Sequence, residues 1–186
     1  ASLSQTVDLR WDMFVWKIGL WSPWDPNLYD VTFTVYQNGE IVDKVGSYFG
    51  LRKIEVDTKG IRLNNAPLYQ KLILAQNYWK DSGLTAPDEE ALIADIDYTK
   101  QAGFNGLRIH QKIEDERFLF WCDVKGLLVW GEFPAQYEYS EDAVMRFTNE
   151  WTEAVRQQYN HPSIITWTPF NESWGLPEIA GNKNLN

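Results

Sequence analysis

The chain is poor in the residues that build crosslinks and metal sites. It has one cysteine and two histidines among 186 residues. A single cysteine excludes an internal disulfide. The His, Asp and Glu residues do not show the spacing of a tight metal-binding motif. We therefore expect no metal site and no cofactor.

Clusters of positive charge and long apolar runs are also missing. The net charge is −9, from 26 acidic and 17 basic residues, and without a Lys/Arg cluster neither nucleic acid nor an anionic membrane is expected as a partner. The longest apolar runs, such as residues 127–130, are far shorter than the about 20 residues that span a bilayer. The first residues do not show the charged and apolar pattern expected of a signal peptide, which says little about the compartment. The sequence leaves the compartment open, with a cytoplasmic location favoured over an exported one.

Aromatic residues, by contrast, are abundant. The chain has 10 Trp, 9 Tyr and 9 Phe, together 15% of its residues. Many of them are expected in the core, since large aromatic side chains are mostly buried. Aromatic rings also line carbohydrate clefts, because the apolar C–H face of a sugar packs on a ring while its hydroxyls bind polar groups at the rim. Both interpretations stay open, and the second makes a carbohydrate the expected partner.

Residues 1–59 show the pattern of short antiparallel strands. Apolar and polar residues alternate over residues 31–45 on both sides of Asn38-Gly39. This is the strongest short hairpin signal, because both turn residues must accept a positive φ. A further strand is predicted over residues 47–57. The strands are typical of a β-sandwich but too few to close one, so we expect residues 1–59 to be the last strands of such a domain.

From about residue 60 the pattern changes to alternating strands and helices. Apolar runs without alternation predict buried parallel strands, and the amphipathic segments between them end in glycine or in Asn-His-Pro. The predicted strands are 71–76, 105–110, 127–133 and 163–170, and the predicted helices are 88–103, 114–126 and 141–159. Parallel strands with helical crossovers fit either an open doubly wound sheet or a (β/α)₈ barrel.

Two features favour the barrel. No glycine-rich phosphate turn follows the first strand, which counts against a dinucleotide-binding sheet. Polar residues follow the strands at their C-terminal ends, where barrel active sites lie. These residues are Gln76, Asn77, Arg108, His110, Glu132, Asn171 and Glu172.

A complete barrel has eight strand–helix units, and residues 60–186 hold about half of them. We therefore predict an α/β fold: the N-terminal half of a TIM (β/α)₈ barrel, truncated, over residues 60–186. The exposed edges of a half barrel are expected to associate, and a homo-oligomer is one form that this takes.

Glu172 is the main candidate for catalysis. It follows an apolar strand and is flanked in sequence by Trp167, Phe170 and Trp174. Aromatic walls are expected to desolvate the carboxyl and keep it protonated near neutral pH, as a general acid requires. Asn171 beside it is suited to bind a sugar hydroxyl. The alternative is an ordinary surface glutamate after a strand.

Three further polar residues are candidates for the same site. Arg108 and His110 lie two apart on one strand and share a face. Arg108 is expected to serve a charge network under the site, and His110 either binds a sugar hydroxyl or completes that network. Glu132 is expected to orient Arg108 or another group that contacts the substrate. Because neighbouring strands are about 4.8 Å apart, Glu132 is also the one rival for a second catalytic carboxyl near Glu172.

The segment YNHPSIITWTPFNESWG, residues 159–175, resembles the acid/base signature of glycoside hydrolase family 2, the family of β-galactosidases, β-glucuronidases and β-mannosidases. The matching elements are Asn160-His161-Pro162-Ser163, Trp167 and Asn171-Glu172. Thr168 departs from the usual Gly or Ser. His161 lies at the other end of the strand from Glu172 and is expected to be structural.

Other segments resemble further parts of the same family. Residues 105–132 match a second motif, with an Arg-x-His segment shorter than the commoner Arg-x-x-His. Residues 20–35 and 48–56 are similar to the last strands of the family's immunoglobulin-like middle domain, and residues 61–79 to the lead-in to its barrel. The resemblance covers nearly the whole chain.

The resemblance implies retaining hydrolysis of terminal β-glycosidic bonds, as in β-galactoside-type substrates, with two carboxyl groups about 5–5.5 Å apart. Glu172 matches the family's acid/base. The family's nucleophile is a glutamate on a later strand, expected beyond residue 186, so this chain alone is expected to be nearly inactive. Some family members use divalent ions, but no ligand set carries over to these residues.

Gln76, Tyr78 and Trp79 resemble a first-strand segment that reads Asp-Gln-Gly-Tyr-Trp in one subgroup, with Ala75 and Asn77 at the departing positions. Together with Trp174, Gln76 and Trp79 are expected to contact the sugar. Loss of the Asp leaves the identity of that sugar open. Two alternatives remain: a non-catalytic carbohydrate-binding module, and a piece without function of its own.

Overall fold

The structure is a computed structural model that describes residues 4–8 and 18–172. Its first part, up to residue 67, consists of antiparallel strands in three small sheets. The pairs are β1 (Trp21–Ser22) with β2 (Asp25–Pro26), β3 (Tyr29–Gln37) with β4 (Glu40–Phe49), and β5 (Ile54–Asp57) with β6 (Gly60–Leu63), which also pairs with β7 (Ala66–Pro67).

The predicted hairpin is confirmed as β3 and β4. Asn38 and Gly39 connect the strands with φ of 54° and 85°, and Gln37 pairs with Glu40 across the turn. A two-residue turn with both φ values positive matches the right-handed twist of the flanking strands. The turn chemistry therefore sets the register beside the turn, and a β-bulge between Val35 and Tyr36 shifts the register in the rest of the hairpin.

The prediction of one strand over residues 47–57 is wrong. β4 ends at Phe49, and β5 begins only at Ile54. Between them, the Arg52 side chain donates to the carbonyl oxygens of Pro162 at 3.0 Å and Ile164 at 2.6 Å. Segment 50–53 thus breaks the strand because it packs against the start of the last parallel strand.

The second part alternates strands and helices, as predicted. Its elements are β8 (Leu72–Ala75), α1 (Glu89–Gln101), β9 (Gly106–Ile109), α2 (Glu116–Lys125), β10 (Leu128–Glu132), α3 (Glu141–Gln158) and β11 (Ile164–Thr168). The four strands are parallel, and each lies beside the one before it in the chain. A doubly wound sheet reverses this order at a switch point, whereas a barrel continues in one direction. The half-barrel prediction is confirmed.

Each helix begins at a side chain that caps it. Asp88, Asp115 and Ser140 accept hydrogen bonds from backbone N–H groups in the first turns of α1, α2 and α3, which satisfies donors that have no partner within the helix. Helix α2 ends at Gly126 with φ of 68°. A Cβ there would lie 2.7 Å from the Pro23 carbonyl oxygen, so both backbone and packing require glycine.

A hydrophobic cluster of Phe133, Phe147 and Ala154 packs helix α3, and two further cores hold the rest of the described residues together. The larger lies between the parallel sheet and helices α1 and α2, and it includes Leu92, Ile96, Leu107, Ile109, Phe118, Cys122 and Val129. The smaller joins Trp21, Leu63 and Leu68 to Leu128 of β10, and the Trp21 indole donates to the Asp123 carbonyl oxygen at 2.8 Å. The antiparallel strands are thereby attached to the half barrel.

No helix within the described ranges is long and apolar enough to cross a membrane.

Candidate active site

Polar residues collect at the rim where the four parallel strands end. Gln76 and His110 directly follow β8 and β9, Glu132 is the last residue of β10, and Asn171 follows β11 by three positions. Parallel neighbours end at the same edge of a sheet, so the fold brings these side chains together. The rim is the place where the sequence predicts the site.

A buried carboxylate organises the centre of the rim. Glu132 is 1% exposed. Its Oε2 accepts from Arg108 Nε at 2.6 Å, and its Oε1 accepts from the Gln111 backbone N–H at 3.0 Å. Both carboxylate oxygens are therefore engaged, as a buried charge requires. The contact is with Arg108, one of the partners expected for Glu132, and the orienting role stays a prediction.

The Arg108 guanidinium connects this carboxylate to the candidate catalytic segment. Its Nη2 donates to Asn171 Oδ1 at 2.8 Å. Because the amide oxygen accepts this bond, the Asn171 nitrogen remains as a hydrogen-bond donor, and no acceptor within residues 4–8 and 18–172 bonds to it. Three strand ends, those of β9, β10 and β11, are thus tied by two hydrogen bonds.

A second group of contacts lies at the β8 side of the rim. Gln76 Nε2 and His110 Nδ1 are 3.0 Å apart, so the structure pairs these two predicted residues. Asn77 Nδ2 donates to Glu114, and Lys112 Nζ lies 3.0 Å from the same carboxylate.

Trp79 joins that group through a cation–π contact. The ammonium of Lys112 lies 5.3 Å from the centre of the Trp79 ring, and an isolated bridge between Trp79 and Gly83 holds the backbone. Sequence reasoning missed Lys112 and Glu114. The signal that could have found them is a charged segment directly after a predicted barrel strand.

Glu172 lies at the edge of an aromatic cleft. The cleft has a volume of about 420 Å³ between the start of α3 and the end of β11, and its lining includes Phe147, Trp151 and Phe170. Phe147 and Phe170 stack with ring centres 4.9 Å apart. The predicted concavity beside Glu172 is therefore present.

The expected desolvation of Glu172 is wrong for the described residues. Its side chain is exposed, although Phe170 lines the same cleft. Trp167 packs away from it, against Trp151 with ring centres 5.7 Å apart and against the core. Trp174, the third predicted aromatic neighbour, lies outside the described residues.

Unusual backbone conformations occur at the same rim. Among residues 4–8 and 18–172, six non-glycine residues have a positive φ, and four of them are asparagine, which tolerates this conformation. The other two are Gln111 at 52° and Glu172 at 59°. Strained backbone of this kind is found preferentially at functional sites, and here both examples belong to the candidate site.

His161 lies at the opposite end of β11, as predicted for a structural residue. Its Nδ1 is 2.6 Å from Asp123 Oδ2, and its Nε2 is 2.9 Å from Glu116 Oε2. Burial lowers the pKa of His161, but the hydrogen bonds and charges of Asp123 and Glu116 raise it more, so the net shift is upward. The hydroxyl of Tyr48 also donates to Asp123 at 2.8 Å, which connects β4 to this cluster.

In the part of the chain that the structure describes, no three His, Cys, Asp or Glu side chains are grouped so as to hold a metal ion.

Two family models match the chain. The model described as "Glycosyl hydrolases family 2" matches residues 2–52, and the model described as "Glycosyl hydrolases family 2, TIM barrel domain" matches residues 54–184. The second match alone covers more than half of the sequence. The chain belongs to glycosyl hydrolase family 2. The predicted domain boundary between residues 59 and 60 stays a prediction, and β5 pairs with β6 across it.

Glycosyl hydrolase family 2 members of several kinds are similar to the chain. A β-galactosidase of Leuconostoc mesenteroides is 30% identical over a gapped alignment of 163 positions, which covers 83% of this chain and 16% of the relative. A β-glucuronidase of Bacteroides fragilis is 28% identical over a gapped alignment of 197 positions, which covers 98% of this chain and 28% of the relative.

Solved structures of glycosidases are similar as well. A β-glycosidase from Bacteroides vulgatus is 27% identical with a TM-score of 0.73, covering 89% of this chain and 22% of that one. β-glucuronidase 3 of Bacteroides uniformis is 28% identical with a TM-score of 0.72, covering 80% and 19%. The chain therefore spans about a sixth to about a quarter of the length of these relatives.

Proposed function

We propose that the chain supplies the acid/base part of a retaining β-glycosidase active site, with Glu172 as the proton donor. The observation that carries the proposal is the placement of Asn171-Glu172. These residues follow the last parallel strand at the active-site rim, and Arg108 and Glu132 anchor Asn171 there. The names of the relatives, β-galactosidase and β-glucuronidase, support a terminal β-glycoside as the substrate.

In this mechanism Glu172 protonates the leaving oxygen while a second carboxylate attacks the anomeric carbon. The resulting glycosyl-enzyme is then hydrolysed by a water molecule that Glu172 deprotonates. The exposed side chain of Glu172 at the cleft edge gives it access to a leaving group and to water. In this proposal the chain supplies the two proton transfers, both made by Glu172, and the second carboxylate supplies the attack.

Glu132 is a poor candidate for the attacking carboxylate. Its oxygens are engaged by Arg108 and by the Gln111 backbone, and its side chain is fully buried, so it has no free path to an anomeric carbon. We therefore propose that the nucleophile is a glutamate on a later strand of the complete barrel, and that residues 1–186 alone turn over glycosides poorly.

The remaining rim residues are proposed to bind the sugar. The Asn171 amide nitrogen and the paired Gln76 and His110 side chains are placed to meet hydroxyl groups. The Trp79 ring is held by Lys112 next to this pair. Arg108 acts under them as the charged support. Trp174 stays a prediction, since it lies outside the described residues.

The test is the complete reading frame that contains this chain, assayed with aryl β-glycosides of good and poor leaving groups. Glu172→Gln should lower turnover of the poor leaving group by about 10²- to 10⁴-fold, the usual contribution of general acid catalysis. A good leaving group departs with less help from protonation, so the rate of glycosyl-enzyme formation should fall less with that substrate. Azide should restore product formation to Glu172→Ala, because an anionic nucleophile needs no general base.

Glu138→Gln is the matched control. Glu138 is an exposed glutamate that lines the same cleft. Its replacement should leave the turnover of both substrates unchanged. Equal turnover by wild type and Glu172→Gln with both leaving groups would rule out the acid/base role. Glycan binding without any hydrolysis by the complete protein would favour a carbohydrate-binding module.

A further inference from the structure

The carboxylate of Glu132 is buried at the rim and has two hydrogen-bond partners from different elements. Glu132 is only 1% exposed, and a buried carboxylate is costly unless both of its oxygens are paired. Its two partners lie in two different places: the Arg108 side chain of β9 and the backbone N–H of Gln111, the strained residue in the following loop. One buried side chain thus restrains both a strand end and a left-handed backbone.

The guanidinium of Arg108 connects Glu132 to Asn171. A guanidinium is planar and can only donate. Its Nε donates to Glu132 and its Nη2 donates to Asn171 Oδ1, so the bond to Glu132 sets the plane from which the second bond is made. An amide that faces such a donor must present its oxygen, which leaves its N–H groups for other partners.

We propose that Glu132 is a positioning residue that acts through Arg108 to set the amide orientation of Asn171, so that the site offers hydrogen-bond donors beside Glu172. The inference rests on the proposed function, because it concerns the same site. The sugar atom that meets Asn171 is then an oxygen that accepts a hydrogen bond. Glu132 itself touches no substrate.

The first test uses the 186-residue chain labelled with ¹⁵N, and it needs no activity. In Glu132→Gln, the introduced amide cannot accept from both Arg108 and Gln111 while avoiding a donor–donor contact. The Arg108 Nε–H signal should lose its hydrogen-bonded shift, and the Asn171 side-chain amide signals should move. The proposal would be overturned if a folded Glu132→Gln chain kept both the Arg108 and the Asn171 signals at their wild-type positions.

Glu114→Gln is the matched control for this measurement. Glu114 is another buried glutamate at the rim, 5% exposed, but its carboxylate contacts Asn77, Lys112 and the Asp115 backbone N–H. Its replacement should leave the Arg108 and Asn171 signals in place. Movement of those signals as large as in Glu132→Gln would show a general response to any buried charge and would overturn the relay.

If Glu132→Gln does not fold, Arg108→Lys carries the test. A lysine ammonium is a point charge without the planar fork, so the Asn171 amide signals should move while the Gln111 N–H keeps its bond to Glu132. Unchanged Asn171 signals would overturn the proposal.

The second test is a double-mutant cycle in the complete reading frame. Glu132→Gln should lower kcat/KM by about tenfold in the wild-type background and should have little effect after Asn171→Ala, because residues in one network are coupled. Equal losses in both backgrounds would overturn the relay. The proposed function fails separately, if Glu172→Gln keeps full turnover. The NMR signals test the connection from Glu132 through Arg108 to Asn171 whether or not the proposed function holds.

Discussion

Replacement of His161 by glutamine tests the charged cluster at the N-terminal end of β11. His161 is 9% exposed, and each ring nitrogen faces a carboxylate, Asp123 at 2.6 Å and Glu116 at 2.9 Å. Only the protonated ring can donate to both. The upward shift of the His161 pKa, against the opposing effect of burial, has this cause.

The sign of the pH dependence follows from that shift. A group whose pKa is raised on folding adds stability that is complete below the unfolded pKa of about 6.5 and is lost as pH rises through the folded value. His161→Gln should therefore be less stable than wild type by about 3 kcal/mol near pH 6. This is the lower end of the cost of removing one partner from a buried ion pair, because the Glu116 side chain is 43% exposed. The difference should narrow as pH rises.

The assay is urea unfolding of both proteins between about pH 6 and about pH 9, joined to an NMR titration of the imidazole signals. The chain has two histidines, so His110→Gln assigns the His161 signal and also serves as the control that keeps the cluster. A His161 signal that titrates below about pH 6.5, or a stability difference that stays constant with pH, would refute the reasoning.

Three further outcomes are expected in the same chain. Gly126→Ala should cost about 1–2 kcal/mol for the left-handed backbone and more for the contact with Pro23, whereas Gly83→Ala, with φ of 65° and open space around it, should show the backbone cost alone; equal losses in thermal unfolding would contradict the close approach. Asp88→Ala should destabilise helix α1 by about 1 kcal/mol in urea unfolding, since it removes the cap of Ala91 N–H; no change would show that water replaces the cap. Burial raises the pKa of the Cys122 thiol, so a thiol reagent should modify Cys122 only in denaturant, and rapid reaction of the native chain would be inconsistent with the core position.

Much of the fold could be predicted because it depends on local patterns. Each parallel strand and helix lies within a few residues of its predicted bounds, since apolar runs and caps act on neighbouring residues. The hairpin at Asn38-Gly39 has a local cause as well. The strand over residues 47–57 was mispredicted because the break depends on Arg52 reaching Pro162 and Ile164, which are distant in sequence.

The position of the candidate site could be predicted, but of its contacts only that between Glu132 and Arg108 was among those expected. Strand ends in a parallel sheet share one edge, so residue types after each strand were enough to assemble the list of polar groups. The hydrogen-bond partner of each polar group could not be predicted from the residues next to it in the sequence. Arg108 and Asn171 are 63 residues apart in the chain, and the packing of Trp167 against Trp151 and the core, rather than beside Glu172, is likewise a tertiary contact.

The sequence by itself determined the order of strands and helices, the turn of the first hairpin, the helix caps and the family motif around Asn171-Glu172, because each is a property of residues close together in the chain. Only the tertiary structure decided that Glu132 pairs with Arg108 and Gln111, and that His161 lies between Asp123 and Glu116. The physical reason is that periodicity indicates which face of an element is buried, whereas the partners of a buried charge depend on how those faces meet in space.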